Sequence, residues 1–169
     1  MMKKLVQTVN KIDKAVYTVE KYVAMFGLLA LVALVTIQVV ARYVFKVSTP
    51  WSEELARYAF LWTTYVGCGM AYSKKKHVVI DLMEEVGKKS ANPRRFSFYL
   101  EKLTMIAGAV FLCIFLTQYM GYFMKMAKMG RTSTAVNLPM VIPYASVIAG
   151  CVLMLWHSFV IFIQPYEQD

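Results

Sequence analysis

Glu53, Glu54 and Arg57 follow directly on Thr49-Pro50-Trp51, at separations of three and four residues that let both carboxylates reach one guanidinium on a helix surface. In water such a pair contributes a few tenths of a kcal/mol. Near hydrocarbon an unpaired charge costs on the order of 2–3 kcal/mol at the bilayer centre and less toward the interface. One arginine satisfies two acids less fully than water does, so one of these charges is expected to pair with a neighbouring helix or subunit; the alternative is a solvated charge cluster at a helix start. His77 and Asp81, four apart behind Lys74-Lys75-Lys76, have the spacing of a proton relay or of half a metal site. His157 is the one other histidine, too few ligands for a metal or haem centre, so Asp81 is expected to cap a helix while His77 faces a partner or lipid headgroups. Arg42 closes an apolar run and is expected to snorkel outward. Trp51, Trp62 and Trp156 read as interface-belt or packing residues rather than a ligand cage.

Other chemistries lack their residues. Cys68, Cys113 and Cys151 are isolated within apolar runs with no C-x-x-C, which argues against zinc or disulfide chemistry and for small buried fillers. There is no P-loop and no Ser-His-Asp arrangement. No acidic residue falls in the middle of an apolar run, so the central carboxylate of a small four-helix proton-coupled antiporter is missing.

The elements that position these residues follow from composition. The chain has 169 residues, 59% hydrophobic and 17% charged, with mean hydropathy +0.49, which is too apolar for a soluble domain of this size. Crossing about 30 Å of hydrocarbon takes roughly 20 apolar residues in a helix. Four runs suffice, at about 22–43, 52–73, 98–123 and 138–163, the second only if the Trp51–Arg57 turns are included. Backbone groups in lipid must bond internally, and the alternation of a membrane barrel is absent, so each run is expected to be a helix. The expected fold is an all-α integral membrane protein with four transmembrane helices and two short amphipathic interfacial helices.

The net charge of +9 is distributed as in a membrane protein rather than a nucleic-acid binder. Thirteen basic residues lie in the N-terminal tail and in the second loop with its flanks, against six in the other two loops (Arg42, Lys46, Arg57, Lys125, Lys128, Arg131), which places both termini in the cytoplasm. In residues 1–21, Leu5, Val9, Ile12, Val16 and Val19 recur at helical spacing with lysines on other faces, as in a helix lying on the cytoplasmic leaflet. A signal peptide fits less well, because the charged region is too long and the apolar run is a full span. Residues 22–163 are then the membrane domain and 164–169 a cytoplasmic tail. Within the domain, Val79, Leu82, Met83 and Val86 mark the second interfacial helix, about 79–91, ended by Gly87 or Asn92-Pro93. Thr49 as N-cap, Pro50 at the first position and two glutamates in the opening turns mark the start of the second span. Small residues at Gly67 and Ala71, at Ala107-Gly108-Ala109 and at Ala145, Ser146, Ala149 and Gly150 permit close helix contacts in lipid. Pro139 and Pro143 are expected at the start of the fourth span. No internal repeat is visible.

Arg42-Tyr43-x-Phe45, Trp51-Ser52-Glu53-Glu54-x-x-Arg57-Tyr58, Trp62, Gly67, Ala71 and His77-x-x-x-Asp81 stand in one hairpin, and in this order the pattern resembles the small membrane subunit of tripartite ATP-independent periplasmic (TRAP) transporters, the DctQ-like family. The third and fourth runs match only in general character. The resemblance implies a non-catalytic scaffold in the bacterial inner membrane. Its partners would be a large M subunit, which would hold the sodium and substrate sites of an elevator-type mechanism, and a periplasmic substrate-binding protein. Transport of an organic acid, sialic acid or a C4-dicarboxylate, is implied. This chain would carry no catalytic, substrate or metal site and no cofactor of its own, with bound phospholipid possible. Arg42, Trp51, Glu53, Glu54, Arg57, Trp62, His77 and Asp81 would be interface or structural residues, and Lys46, Lys128 and Arg131 would help dock the binding protein. The competing readings are the membrane anchor of a redox or other membrane enzyme and a stand-alone small transporter.

Overall fold

The computed structural model describes residues 2–73 and 93–163, which form four helices: α1 (Met2–Tyr43), α2 (Pro50–Ser73), α3 (Pro93–Met129) and α4 (Val141–Ile163). His77, Asp81 and the expected interfacial helix at about 79–91 lie outside the described residues, as does the tail at 164–169. Among the described residues there is no strand, only a single bridge between Thr132 and Pro139. Three stretches are apolar and long enough to cross a membrane: Val6–Tyr43, Lys102–Met129 and Val141–Ile163. α2, with Glu53, Glu54 and Arg57 in its opening turns, is less apolar than these.

α1 differs from expectation. No break in helical hydrogen bonding separates residues 1–21 from the apolar run beyond them; one 42-residue helix contains both. At 1.5 Å per residue it is about 63 Å long. Neither proline nor glycine stands near the expected turn, so nothing local stops the helix. It ends where Val47 N–H bonds the Ala41 carbonyl and Lys46 takes a left-handed backbone (φ 54°). Gly130 (φ 58°) does the same after α3.

Packing runs in the order α1, α2, α4, α3 rather than in chain order, with α2 between α1 and α4 and α3 held by α4. Burial follows: of the most apolar 18-residue windows, none of α1 is buried, 11% of α3 and 44% of α4. α2 and α3 are separated by an apolar groove of about 510 Å³, lined by Tyr65, Tyr72, Phe111, Phe115, Cys151 and Met154 among others. α3 is fastened to α4 by Tyr119 Oη, which donates to the Tyr144 carbonyl (3.0 Å), and by Lys102 Nζ, which donates to the Ile161 (2.9 Å) and Phe162 carbonyls at the end of α4.

Close approach falls on particular small residues. A Cβ on Gly150 would stand 2.7 Å from the Tyr65 carbonyl oxygen, and one on Gly69 would stand 2.9 Å from both Glu20 Oε1 and Leu153 Cβ. Gly67, half of the expected Gly67/Ala71 pair, faces open space, and Ala71 is exposed. The pairing face of α2 is therefore rotated from the expected one, because the residue meeting α4 and Glu20 is Gly69. Ser146 and Gly150 of α4 are buried as a pair. Cys151 is buried as a filler, whereas Cys68 and Cys113 are exposed on the outside of the bundle, where lipid-facing positions also accept small apolar side chains. α4 begins at Val141, so Pro139 belongs to the preceding loop and Pro143 alone lies in the first turn.

Replacing Gly150 by valine is expected to cost about 1–3 kcal/mol through overpacking against Tyr65. Gly67→Ala, which meets nothing, should leave stability unchanged. Thermal unfolding of the full chain in mild detergent separates the two; equal losses would refute this packing.

Candidate functional site

The charged start of α2 resolves into two different interactions. Thr49 precedes the helix, and its carbonyl and hydroxyl oxygens both lie 2.9 Å from the fully buried Ser52 hydroxyl, which ties the first turn to its cap. Glu53 turns outward to Arg57 at 3.7 Å, with the two side chains 51% and 66% exposed. A pair so open to solvent contributes little. Glu54 goes elsewhere: its Oε1 accepts from Tyr58 Oη at 2.7 Å, and its Oε2 accepts from the Ala135 N–H at 3.0 Å. The Ser133 hydroxyl bonds the same carboxylate. The two acids expected to compete for one arginine are thus divided between it and the α3–α4 loop.

That loop is built to receive Glu54. Ser133 N–H donates to the Leu138 carbonyl (2.8 Å) and Met140 N–H to the Arg131 carbonyl (2.9 Å), making a short antiparallel turn with Asn137 at φ 56°. Asparagine tolerates this left-handed backbone better than most residues. Ser133 is 1% exposed and its Oγ accepts from Val136 N–H at 3.2 Å. Three donors on one carboxylate make an anchored joint between α2 and the loop.

Arg42 and Trp51 occupy the same end of the bundle with less contact, whereas Trp62 stands at the middle of α2. Arg42, at the end of α1, and Trp51 are exposed, and Trp62 is half-buried. Lys46, Lys128 and Arg131 are exposed in the loop after α1, at the end of α3 and at the start of the α3–α4 loop, so all three stand at the Glu54 end.

At the opposite end lies a cluster that the sequence reading did not single out. His157 of α4 is fully buried, with Nδ1 2.8 Å from Asp13 Oδ1 and Nε2 3.1 Å from both oxygens of Glu20. Glu20 is 2% exposed and lies against Gly69 of α2. Asp13 and Glu20 are seven apart, two turns along one face of α1, a spacing visible in the sequence. It was hidden by assigning residues 1–21 to the membrane surface, away from any span. The carboxylates converge on the two edges of one ring rather than on a common point, and among the described residues no group of ligands is arranged for a metal ion.

Among the described residues, the polar groups at both ends act as joints between helices. Bundle and composition together define a multi-pass helical membrane protein. Residues 31–168 match the model of the DctQ component of tripartite ATP-independent periplasmic transporters, and the chain belongs to that family. It is a transporter component and not an enzyme, which sets aside the anchor of a membrane enzyme. Among its relatives, the sialic acid TRAP transporter small permease protein SiaQ of Vibrio cholerae is 26% identical over 125 residues, 73% of this chain and 72% of that protein. The sialic acid TRAP transporter permease protein SiaT of Haemophilus influenzae is 34% identical over 104 residues, 59% of this chain but 14% of SiaT. The isethionate TRAP transporter permease protein DctMQ of Oleidesulfovibrio alaskensis is 24% identical over 131 residues, 74% of this chain and 20% of that protein.

Glu54→Ala leaves the Ala135 amide and the buried Ser133 hydroxyl without their acceptor and should lower stability and loosen the α3–α4 loop. Faster amide hydrogen exchange across residues 131–140 would report it. Arg57→Ala should change stability by less than about 1 kcal/mol; a larger loss than that of Glu54→Ala would reverse the assignment.

Proposed function

We propose that this chain is the small, non-catalytic subunit of a sodium-coupled, binding-protein-dependent transporter for an organic acid, and that it holds a large M-type permease subunit in place. The observation that carries this reading is the family match combined with the alignments to SiaT and DctMQ, in which this chain corresponds to a minor part of a much longer permease. A unit equivalent to part of a larger permease is suited to work beside the remainder. The sodium and substrate sites of an elevator-type mechanism belong, in this reading, to the partner.

The structure supports a scaffold in two ways. Its polar contacts fasten helices together, and the apolar surface of α1, with Phe26, Leu28, Leu29 and Val32 all more than half exposed, is left for lipid or another helix. α2 is read as a fourth crossing, its apolar part covered on two sides by α1 and α4, with both termini cytoplasmic in the inner membrane. Arg42, Trp51 and the Glu53–Arg57 pair then lie at the periplasmic end, available to the M subunit, and Trp62, midway along α2, is assigned to the same interface. His77 and Asp81 are assigned the corresponding role at the cytoplasmic end. Lys46, Lys128 and Arg131 would meet the periplasmic binding protein. The groove between α2 and α3 has the apolar lining that suits a phospholipid acyl chain. Sialic acid is the preferred substrate from SiaQ and SiaT, with other organic acids as the alternative.

The test is co-purification. Tagged chain, expressed with the large permease gene adjoining its own, should elute from mild detergent with that permease, and proteoliposomes containing both should take up substrate only with the binding protein and a sodium gradient. Elution of the chain alone, or uptake by the chain alone, would overturn the proposal. Lys46→Ala, Lys128→Ala and Arg131→Ala combined should weaken binding-protein-dependent uptake several-fold while the complex stays intact; normal uptake would remove the docking assignment.

A further inference from the structure

The His157 cluster sets a problem of proton arithmetic. Each ring nitrogen of His157 faces a carboxylate oxygen at hydrogen-bonding distance, Nδ1 to Asp13 and Nε2 to Glu20. A carboxylate only accepts, and a neutral imidazole donates from one nitrogen while presenting a lone pair at the other. With a neutral ring and two ionised acids, one contact would set a nitrogen lone pair against a carboxylate, and two negative charges would stand uncompensated in a seam where Glu20 is 2% exposed. One added proton removes the lone-pair clash and halves the uncompensated charge. It makes either an imidazolium between two carboxylates or an imidazole between a carboxylate and a carboxylic acid.

The charged groups acting on His157 are Glu20 and Asp13, both from α1. Lys14 and Lys21 on the same helix are exposed. α2 contributes the backbone at Gly69 and the phenol of Tyr72, which packs with Met105 and Ile161. On α3, Lys102 donates to the Ile161 and Phe162 carbonyls.

The geometry points to a resident proton, bound by Asp13, Glu20 and His157 in addition to the one a neutral histidine carries, that latches the first turns of α1 onto α4. α1 and α4 otherwise touch little, because α2 lies between them along most of their length. The latch is therefore a polar tie that joins the N-terminal half of α1 directly to α4. The latched state holds a proton that the separated groups release at neutral pH, so by linkage the latch weakens as pH rises.

The experiment uses full chain carrying His77→Gln, labelled with 15N and 13C in phosphatidylethanolamine–phosphatidylglycerol nanodiscs, so that His157 is the sole histidine. At pH 7 the spectra should show both ring nitrogens protonated, or one protonated nitrogen together with an Asp or Glu carboxylic-acid carbon. One bare nitrogen with only ionised carboxylates would overturn the proposal. Glu20→Gln offers an independent arm, since a neutral ring can donate to Asp13 and accept from the amide with no added proton. Between pH 7 and the latch midpoint, the unfolding equilibrium constant of the unsubstituted chain should rise about tenfold more per pH unit than that of Glu20→Gln, one proton's worth of linkage. Equal slopes between pH 7 and 9.5 would overturn it.

Discussion

The contact between the backbone of Tyr65 and Gly150 is the constraint on which the arrangement of helices depends. In a bilayer, apolar side chains gain nothing by leaving lipid for one another, so helices associate through close van der Waals packing and a few polar bonds. α2 can lie between α1 and α4 because Gly150 admits the Tyr65 carbonyl and Gly69 admits Glu20 and Leu153. On the other side of α2, Thr63 packs onto Gly27 of α1, where any Cβ would collide with the hydroxyl. These contacts fix the rotation of α2, and with it the direction in which Glu54 and Tyr58 point.

Once α2 is placed, each end of the bundle closes with one buried or half-buried acid. At one end Glu54 gathers donors from Tyr58, Ser133 and Ala135 and so couples α2 to the loop that leads into α4. At the other end Glu20, with Asp13, couples α1 to His157 of α4. Carboxylates suit both joints because each accepts several hydrogen bonds, and in a poorly solvated setting such bonds are stronger than the same contacts in water. The exposed Glu53–Arg57 pair, which looks in sequence like the same kind of element, lacks that setting.

A bundle held by its polar ends leaves its long flanks free. α1 and α3 are peripheral, and much of their apolar surface faces outward. This division between tied ends and open sides fits a member of the DctQ family.

Apolar run length determined the helical membrane class, and Thr49-Pro50 with its following glutamates determined the start of α2 to the residue, because both depend on local backbone physics alone. The order of residues in the first hairpin carried the family. The sequence also put Glu53, Glu54 and Arg57 on one helix surface, yet which acid takes the arginine depended on a loop eighty residues away and on the rotation of α2. Likewise the spacing of Asp13 and Glu20 was present in the sequence, but its meaning required His157, which reaches them only because α1 continues unbroken past Lys21 and lies beside α4. Periodicity reports which face of a helix is apolar; it cannot report which neighbour that face meets. Gly67 and Gly69 show the same limit, two glycines two residues apart, of which the tertiary packing used one.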